Sequence, residues 1–165
     1  MIDHALEELS ARTGKSLGSR GMLLATAESC TGGWVAEVIT AIAGSSAWFD
    51  RGFVTYSNAA KQSMLGVAAA TLEAHGAVSP EVAHEMAAGA LAHSQAQVAL
   101  SITGVAGPGG GTSTKPVGMV CLGWAVAGGE VRGETCHFEG DRAAVRRQAV
   151  ERALQGLLAI LENPG

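Results

Sequence analysis

A serine followed by a cysteine, a threonine and two glycines is the feature of this chain best suited to chemistry. The segment AESCTGG, from Ala27 to Gly33, follows the apolar run from Met22 to Ala27 and precedes a helical pattern from Trp34 to Ala43. This order predicts a strand, a tight loop and a helix, with Ser29 at the start of the helix. The unpaired N–H groups of a first helical turn favour an oxyanion or a phosphate. Ser29 is therefore a candidate nucleophile, and the competing interpretation is a serine that only caps the helix.

A serine nucleophile needs a neighbouring base, and the positions of the histidines in the sequence identify none of them as that base. The chain has five histidines, but His84 and His93 lack the spacing of a zinc-binding helix, and a lone histidine such as His137 on a predicted strand is usually structural. Lys61 is the other candidate base. Burial among apolar groups would lower its pKa and leave it neutral, whereas a solvated surface lysine would stay charged.

Two neighbours of Ser29 leave alternatives open. Cys30 is a rival nucleophile, but a reactive thiol needs a nearby cation or histidine that the local sequence lacks, and a small buried hydrophobic residue is the other interpretation. Glu28 could orient a base or bind a ribose hydroxyl, or it could be a partly exposed acid.

A second glycine-rich segment, GVAGPGGGT, follows a predicted strand. The strand runs from Gln97 to Thr103 and the glycine-rich segment from Gly104 to Thr112. The segment lacks the Walker and dinucleotide-binding patterns, yet its glycines allow N–H groups to converge on an anion. Lys115 and Arg142 are possible phosphate partners, or else solvated charges.

The remaining pattern alternates strands with helices. Helices are predicted from Ile2 to about Leu17, after an N-cap at Asn58, from Ser79 and Pro80 to Gln95, and from Asp141 to about Leu161. Further strands are predicted at Phe49 to Ser57, Val117 to Ala127 and Glu130 to Phe138, the last two joined by a Gly128–Gly129 hairpin. These elements predict an α/β fold, a three-layer α/β/α sandwich with a mostly parallel sheet and one antiparallel strand.

Composition narrows the function classes. The chain has 165 residues, 47% hydrophobic, with a net charge of −4, which predicts one compact domain and disfavours a nucleic-acid polymer as partner. No apolar stretch is long enough to span a bilayer, so we expect no membrane association and a cytoplasmic protein. Three cysteines without metal-binding spacing imply neither a disulfide framework nor a zinc site. Trp48 and Phe49 look exposed and could form a homodimer interface.

Four motifs in fixed order resemble the C-terminal domain of the competence-damage-inducible protein CinA. They are AESCTGG, FVTYSNAAK with a downstream LGV, AVSPEVAHEMA, and ITGVAGPGGGT with KPVG. The resemblance covers about Leu9 to Leu161 and implies that residues 1–165 form a single amidohydrolase domain of this family. Stand-alone members are nicotinamide-nucleotide amidohydrolases, which implies hydrolysis of nicotinamide mononucleotide to nicotinate mononucleotide and ammonia, in pyridine nucleotide recycling, without a metal or organic cofactor.

The same resemblance implies a role for individual residues. Ser29 becomes the nucleophile, Lys61 its general base and Tyr56 a hydroxyl that positions them or relays the proton. Backbone N–H groups of the loop are expected to hold the oxyanion, and these belong to Cys30, Thr31 and Gly32. Ribose-phosphate binding falls to Thr103, Gly104, Gly107 and Gly109, with Ser46 and Arg142 as additions.

Two other functions remain compatible with the sequence. The domain could keep the nucleotide pocket and act as a non-catalytic nucleotide-binding or partner-binding module. It could also be an amidase for another small carboxamide.

Overall fold

The computed structural model describes residues 3–163, which form a five-stranded sheet with helices on both faces. The helices are α1 (His4–Ser19), α2 (Trp34–Thr40), α3 (Asn58–Leu65), α4 (Ala69–His75), α5 (Pro80–Ala92) and α6 (Arg142–Glu162). The strands are β1 (Leu24–Glu28), β2 (Phe49–Val54), β3 (Val98–Gly104), β4 (Met119–Val126) and β5 (Arg132–His137). None of the helices within residues 3–163 has the length and apolar character that crossing a membrane requires.

The strand order is β2-β1-β3-β4-β5. Strand β1 pairs in parallel with β2 and β3, while β4 is antiparallel to β3 and to β5. Four strands therefore run in one direction and β4 runs against them. The predicted three-layer sandwich with one antiparallel strand is confirmed.

The two faces of the sheet carry side chains of different size. Leu24 and Leu100 face one layer, built from α1, α2 and α6, whereas Ala25 and Ala99 face the other, where α5 packs. Small side chains let α5 approach closely: a Cβ at Gly123 would lie 2.7 Å from the carbonyl oxygen of Ala83 on α5. The alanine-rich and glycine-rich composition therefore serves close packing of a helix on a sheet.

The carboxyl ends of the three neighbouring parallel strands meet at one edge of the sheet. Glu28, the last residue of β1, is in register with Val54 of β2 and with Ile102 of β3. The chain leaves each strand there into a loop. In open α/β sheets this edge is where ligands bind.

The helix boundaries differ from the predictions in several places, and α5 ends at Ala92 rather than at Gln95. Helix α1 begins at His4, and the predicted start at Ile2 lies outside the described residues. Helix α3 is capped by Ser57 rather than Asn58, because the Ser57 hydroxyl accepts a hydrogen bond from the Ala60 amide at 3.0 Å. Helix α2 ends at Thr40, earlier than the predicted Ala43.

Helix α4 was not predicted, and its cap explains why. Its own N-cap residue, Ala68, has no capping side chain. The carboxylate of Glu85, on α5, instead accepts hydrogen bonds from the Ala68 amide at 2.8 Å and from the Thr71 hydroxyl at 2.5 Å. This start signal comes from a residue distant in sequence, so no local pattern contains it.

The expectation that Trp48 and Phe49 are exposed is wrong. Both are half-buried and pack against the larger apolar cluster. The Trp48 indole lies against Gly14 of α1, where a Cβ would come within 2.5 Å of the ring. The homodimer stays a prediction, without these two residues as its surface.

Candidate active site

Ser29 and Lys61 meet at the carboxyl edge of the sheet. Ser29 directly follows β1 and Lys61 lies in α3, and the Lys61 Nζ is 3.0 Å from the Ser29 Oγ. Only 1% of the Lys61 surface and 8% of the Ser29 surface are exposed. Lys61 is therefore a buried lysine, and a solvated surface position is excluded.

The other two contacts of Lys61 are backbone carbonyl oxygens. Its Nζ donates to the carbonyl oxygen of Thr55 at 2.9 Å and to that of Tyr56 at 3.3 Å. In the ammonium form the third N–H donates to the Ser29 Oγ. In the neutral form the two N–H donors stay on the carbonyl oxygens, and the lone pair can accept the proton of the Ser29 hydroxyl.

The surroundings of Lys61 favour its neutral form. Burial lowers the pKa of Lys61, and a smaller electrostatic interaction with Cys30 acts in the opposite direction. Within residues 3–163, no carboxylate lies at ion-pair distance from the Nζ. A buried lysine without a counter-ion loses its proton more readily than one in water.

The loop after β1 is held by a buried carboxylate. The Glu28 side chain, 1% exposed, accepts hydrogen bonds from the Thr31 hydroxyl at 2.6 Å, the Val35 amide at 2.9 Å and the Ala36 amide at 3.2 Å. Glu28 thus holds the loop onto α2, a role that is not among the sequence alternatives, and the expectation of a partly exposed acid is wrong. The predicted placement of Ser29 at the start of α2 is wrong, because α2 begins at Trp34 and its first amides bind Glu28.

Of the three predicted oxyanion amides, that of Cys30 belongs to a residue that lines the cleft, whereas Thr31 is fully buried and the Gly32 amide is engaged in a turn. The Ser29 amide donates to the Ile102 carbonyl at 3.0 Å, and the Gly32 amide donates to the Ser29 carbonyl at 3.0 Å. In the described part of the chain, the amides of Cys30 and Thr31 donate to no backbone or side-chain oxygen. The Gly32 amide closes a turn and is not available to a substrate.

The Cys30 thiol is a poor rival for the nucleophile. Cys30 is 7% exposed, and burial raises the pKa of its thiol to about 11. A thiol with that pKa is neutral near pH 7, and the neutral thiol is weakly nucleophilic. Cys30 takes part through its backbone.

Tyr56 contacts Lys61 through its backbone rather than through its hydroxyl. Its side chain is 63% exposed, and the hydroxyl accepts a hydrogen bond from Arg142 Nη2 at 3.2 Å. Arg142 Nη1 in turn donates to the Gly107 carbonyl at 2.7 Å. The Tyr56 hydroxyl and Arg142 thus form a bridge across the mouth of the site.

A cleft of about 300 Å³ opens beside Ser29 and Lys61. Its lining comes from the loop after β1, the start of α3, the connection between α4 and α5, the glycine-rich segment and α6; the residues include Ser29, Cys30, Tyr56, Lys61, Thr103, Gly104, Gly107, Gly109 and Arg142. Gly104 is required by space, since a Cβ there would lie 2.7 Å from the Val120 side chain. The Thr103 hydroxyl donates to the Ala77 carbonyl at 2.8 Å and so fixes one wall of the cleft.

Three candidate residues lie elsewhere. Ser46 belongs to a short 3-10 turn before β2, Ser45–Ala47, at the amino edge of the sheet and on the opposite side from Ser29. The structure therefore does not bring Ser46 to the cleft beside Ser29, and its phosphate-binding role stays a prediction. The Lys115 Nζ contacts the His75 carbonyl, and His137 ends the edge strand β5. Residues 3–163 contain no group of three His, Cys, Asp or Glu side chains that could hold a metal ion.

Arg146 is a contact residue that sequence reasoning missed. Its guanidinium donates to the carbonyl oxygens of Cys30, at 3.0 Å, and Thr31, at 3.2 Å. It lies on α6, more than a hundred residues beyond the loop that it binds. Only the contact in the folded chain identifies it.

Residues 6–161 match the model of the CinA C-terminal domain family. The chain belongs to this family. Among the relatives of this CinA-family chain, a protein of Escherichia coli (strain K12) named nicotinamide-nucleotide amidohydrolase PncC is 58% identical over 158 residues, 95% of each chain. A Pseudomonas putida protein of the same name is 51% identical over 152 residues, 92% of this chain and 94% of its own. The crystal structure of the competence/damage inducible protein CihA from Agrobacterium tumefaciens has a TM-score of 0.95 at 45% identity, over 99% of each chain.

Proposed function

We propose that this CinA-family chain hydrolyses the carboxamide of nicotinamide mononucleotide, giving nicotinate mononucleotide and ammonia. The observation that carries the proposal is the buried Lys61 amine 3.0 Å from the Ser29 hydroxyl. The substrate follows from the relatives that are named nicotinamide-nucleotide amidohydrolases and that match nearly the whole chain. A reaction of this kind serves pyridine nucleotide recycling.

The first half of the reaction acylates Ser29. Neutral Lys61 takes the hydroxyl proton while the Ser29 Oγ forms a bond to the carboxamide carbon. The C=O electron pair moves onto oxygen, and the amide of Cys30, which lines the cleft, binds the resulting anion. When the anion collapses, the C–N bond breaks and the Lys61 ammonium gives its proton to the leaving nitrogen, which departs as ammonia.

The second half regenerates the serine. Lys61, neutral again, takes a proton from a water molecule, and the water oxygen bonds to the carbon of the nicotinoyl ester. Collapse breaks the bond to the Ser29 Oγ, which receives the proton from Lys61. The product is a carboxylic acid that ionises, and no oxidant or reductant is consumed.

Arg142 supplies the positive charge for the phosphate in this proposal. Its guanidinium lines the cleft and donates to Gly107 and Tyr56. Within residues 3–163 it has no carboxylate partner. A guanidinium that binds only neutral oxygens keeps its charge for an anionic ligand, and its planar fork suits a phosphate.

Ammonia release from nicotinamide mononucleotide by the purified chain tests the proposal. Ser29→Ala should lower turnover by about 10³-fold or more, because the nucleophile is lost. Ser19→Ala is the matched control, since it removes an exposed hydroxyl at the end of α1 and should leave turnover unchanged. Undiminished ammonia release by a folded Ser29→Ala protein would exclude Ser29 as nucleophile.

The same experiment separates the two alternative functions. A non-catalytic binding module would be stabilised against heat by nicotinamide mononucleotide without releasing ammonia. An amidase for another carboxamide would prefer a substrate that lacks the phosphate. Either result would contradict the assignment.

A further inference from the structure

A second cavity, of about 650 Å³, adjoins the cleft beside Ser29. Its walls come from the glycine-rich segment and the start of α6, and they include Pro108, Val117, Ala143 and Arg146. Arg142 and Ala106 line both the cleft and the second cavity. The second cavity therefore lies next to the region of the cleft in which Arg142 is proposed to bind the substrate phosphate.

The lining of the second cavity has a net positive charge. Arg142 and Arg146 lie one turn apart on α6, and within residues 3–163 neither guanidinium has a carboxylate at ion-pair distance. Asp141 also lines the cavity, but its carboxylate caps α6 by accepting a hydrogen bond from the Ala144 amide at 2.9 Å. The two arginines therefore favour an anionic ligand.

Both guanidiniums keep N–H groups for such a ligand. Arg142 uses Nη1 and Nη2 for the Gly107 carbonyl and the Tyr56 hydroxyl, and Arg146 uses Nε and Nη2 for two carbonyl oxygens of the loop after β1. In the described part of the chain, Nε of Arg142 and Nη1 of Arg146 donate to no oxygen. Each arginine can thus bind a phosphate oxygen while it keeps its present contacts.

The glycine-rich segment adds an apolar surface to the second cavity. Pro108 and Val117 lie in this wall, and both are exposed, Val117 by 39%. An aromatic base that covers these side chains would remove their apolar surface from water. Charged donors beside an apolar wall are the combination that a nucleotide requires.

We propose that the second cavity binds the second nucleotide of a dinucleotide whose nicotinamide mononucleotide half occupies the cleft. A dinucleotide extends the mononucleotide at its phosphate, and Arg142, the proposed phosphate ligand, is a residue that the two spaces share. The second phosphate binds Arg142 and Arg146, and the second nucleoside packs against Pro108 and Val117. This inference rests on the proposed function, because it takes the cleft as the site of the mononucleotide.

The volumes of the two spaces agree with this division. The cleft, at about 300 Å³, is at the lower end of the range of about 300–1,000 Å³ that is typical of small-molecule sites. The second cavity is about 650 Å³. A mononucleotide therefore needs only the cleft, whereas a dinucleotide needs both spaces.

Competition between NAD⁺ and nicotinamide mononucleotide tests the proposal. Consumption of the mononucleotide is followed by chromatography, so that any hydrolysis of NAD⁺ does not enter the measurement. NAD⁺ should inhibit competitively in the wild type. Ala143→Phe should raise the inhibition constant of NAD⁺ by about tenfold or more, because the phenyl ring occupies the second cavity.

The same variant should leave the mononucleotide reaction unchanged. Ala143 is exposed and does not line the cleft, so KM for nicotinamide mononucleotide and the inhibition constant of nicotinate mononucleotide should keep their wild-type values. Ala11→Phe, which places the same ring at an exposed position on α1, is the matched control.

Arg146→Gln tests the contact with the second phosphate. Because Arg146 also holds the loop after β1, the measured quantity is the inhibition constant of NAD⁺ divided by that of nicotinate mononucleotide. Changes within the cleft affect both constants and cancel in this ratio. The ratio should rise by about tenfold, since only NAD⁺ loses a charge-assisted bond to its second phosphate.

The outcomes distinguish this inference from the proposed function. Competitive inhibition by NAD⁺ that both variants weaken selectively supports the second cavity as a nucleotide site. If the wild type consumes nicotinamide mononucleotide, the inference is overturned and the proposed function stands when NAD⁺ does not compete, or when it competes equally well in Ala143→Phe and Arg146→Gln. A folded wild type that does not consume nicotinamide mononucleotide overturns both.

Discussion

Two loops on either side of the cleft differ in burial. The serine loop, residues 29–33, contains the buried Ser29 and Thr31 and is held by two charged side chains, those of Glu28 and Arg146. The glycine loop, residues 105–118, is held at its base by backbone hydrogen bonds and by Arg142, which donates to the Gly107 carbonyl, but it is exposed from residue 108 to residue 114. The residues that react are thus fixed from all sides, whereas the exposed part of the glycine loop is left able to adjust to a ligand.

The largest effect should come from the base that completes the serine loop. Lys61→Met keeps the length of the side chain and removes the amine, so turnover should fall by about 10³-fold or more, as for loss of an essential base. Lys15→Met, at an exposed position on α1, is the control and should leave turnover unchanged. A Lys61→Met enzyme with near-normal turnover would mean that another group takes the Ser29 proton.

Because the pKa of Lys61 is lowered in the folded chain, Lys61→Met should also change the pH dependence of the free energy of unfolding. In the folded chain Lys61 loses its proton below the ordinary pKa of 10.5, which the unfolded chain keeps. At pH values between these two pKa values the unfolded chain therefore binds more protons, and the free energy of unfolding of the wild type increases with pH. Lys61→Met lacks this contribution. The free energy of unfolding of the variant, minus that of the wild type, should therefore fall as pH rises towards 10.5, which urea unfolding at several pH values measures.

The lowered pKa of Lys61 also predicts a pH profile of the wild-type activity: kcat/KM should rise with pH through a pKa below 10.5.

Glu28→Gln should have the next largest effect. The amide group of glutamine replaces one acceptor oxygen by a donor, which costs about 1.5–3 kcal/mol of stability at a buried charge-assisted site. Turnover should fall by about tenfold, since the loop loses its anchor below Thr31. Glu37→Gln, at an exposed position on α2, the helix whose amides bind Glu28, is the matched control. Unfolding curves and turnover that coincide for the two variants would show that the carboxylate does not hold the loop.

Glu28 also marks the limit of what could be predicted from the sequence. The order of elements followed from hydrophobic period and turn residues, and the mostly parallel sheet was confirmed. From the sequence, Glu28 could orient a base, bind a ribose hydroxyl or be a partly exposed acid. Its three donors instead show a buried carboxylate that holds the loop, and two of them lie on α2, whose start at Trp34 the pattern predicts correctly.

The partners of the site residues could be predicted only in part. The motifs that resemble the CinA C-terminal domain predict that Ser29 and Lys61 act together, as nucleophile and base. Nothing in the sequence places Arg146 on the Cys30 carbonyl, because the two residues are separated by 116 positions and meet only in the folded chain. Local patterns predict elements well and long-range polar contacts poorly.

Arg142→Ala should separate binding from chemistry. Loss of the proposed phosphate contact should raise KM by about tenfold or more, with a smaller change in kcat. The reason is that the charge-assisted bond to the phosphate is lost equally from the bound substrate and from the transition state. Tyr56→Phe removes only the hydroxyl that accepts from Arg142. A moderate rise in KM for Tyr56→Phe would agree with a role in orienting Arg142, whereas a loss of kcat alone would indicate the proton relay implied by the family resemblance.

The smallest effects should come from single glycines, and they compare the two loops most directly. Gly32 of the serine loop has a φ of +60° and Gly110 of the glycine loop a φ of +85°, while Gly109 has a negative φ and open space around it. Alanine should therefore cost about 1 kcal/mol at Gly32 and Gly110 and almost nothing at Gly109. A methyl group has room at each site, since the nearest atoms lie 3.8 Å and 3.9 Å away at Gly32 and Gly110. Gly32→Ala and Gly110→Ala should thus introduce similar backbone strain. Only Gly32→Ala should lower kcat, because Gly32 belongs to the turn that contains the backbone amides beside Ser29. Thermal unfolding and steady-state kinetics of the three variants measure this, and an equal loss of kcat in Gly110→Ala would remove the distinction between a fixed loop and an adjustable one.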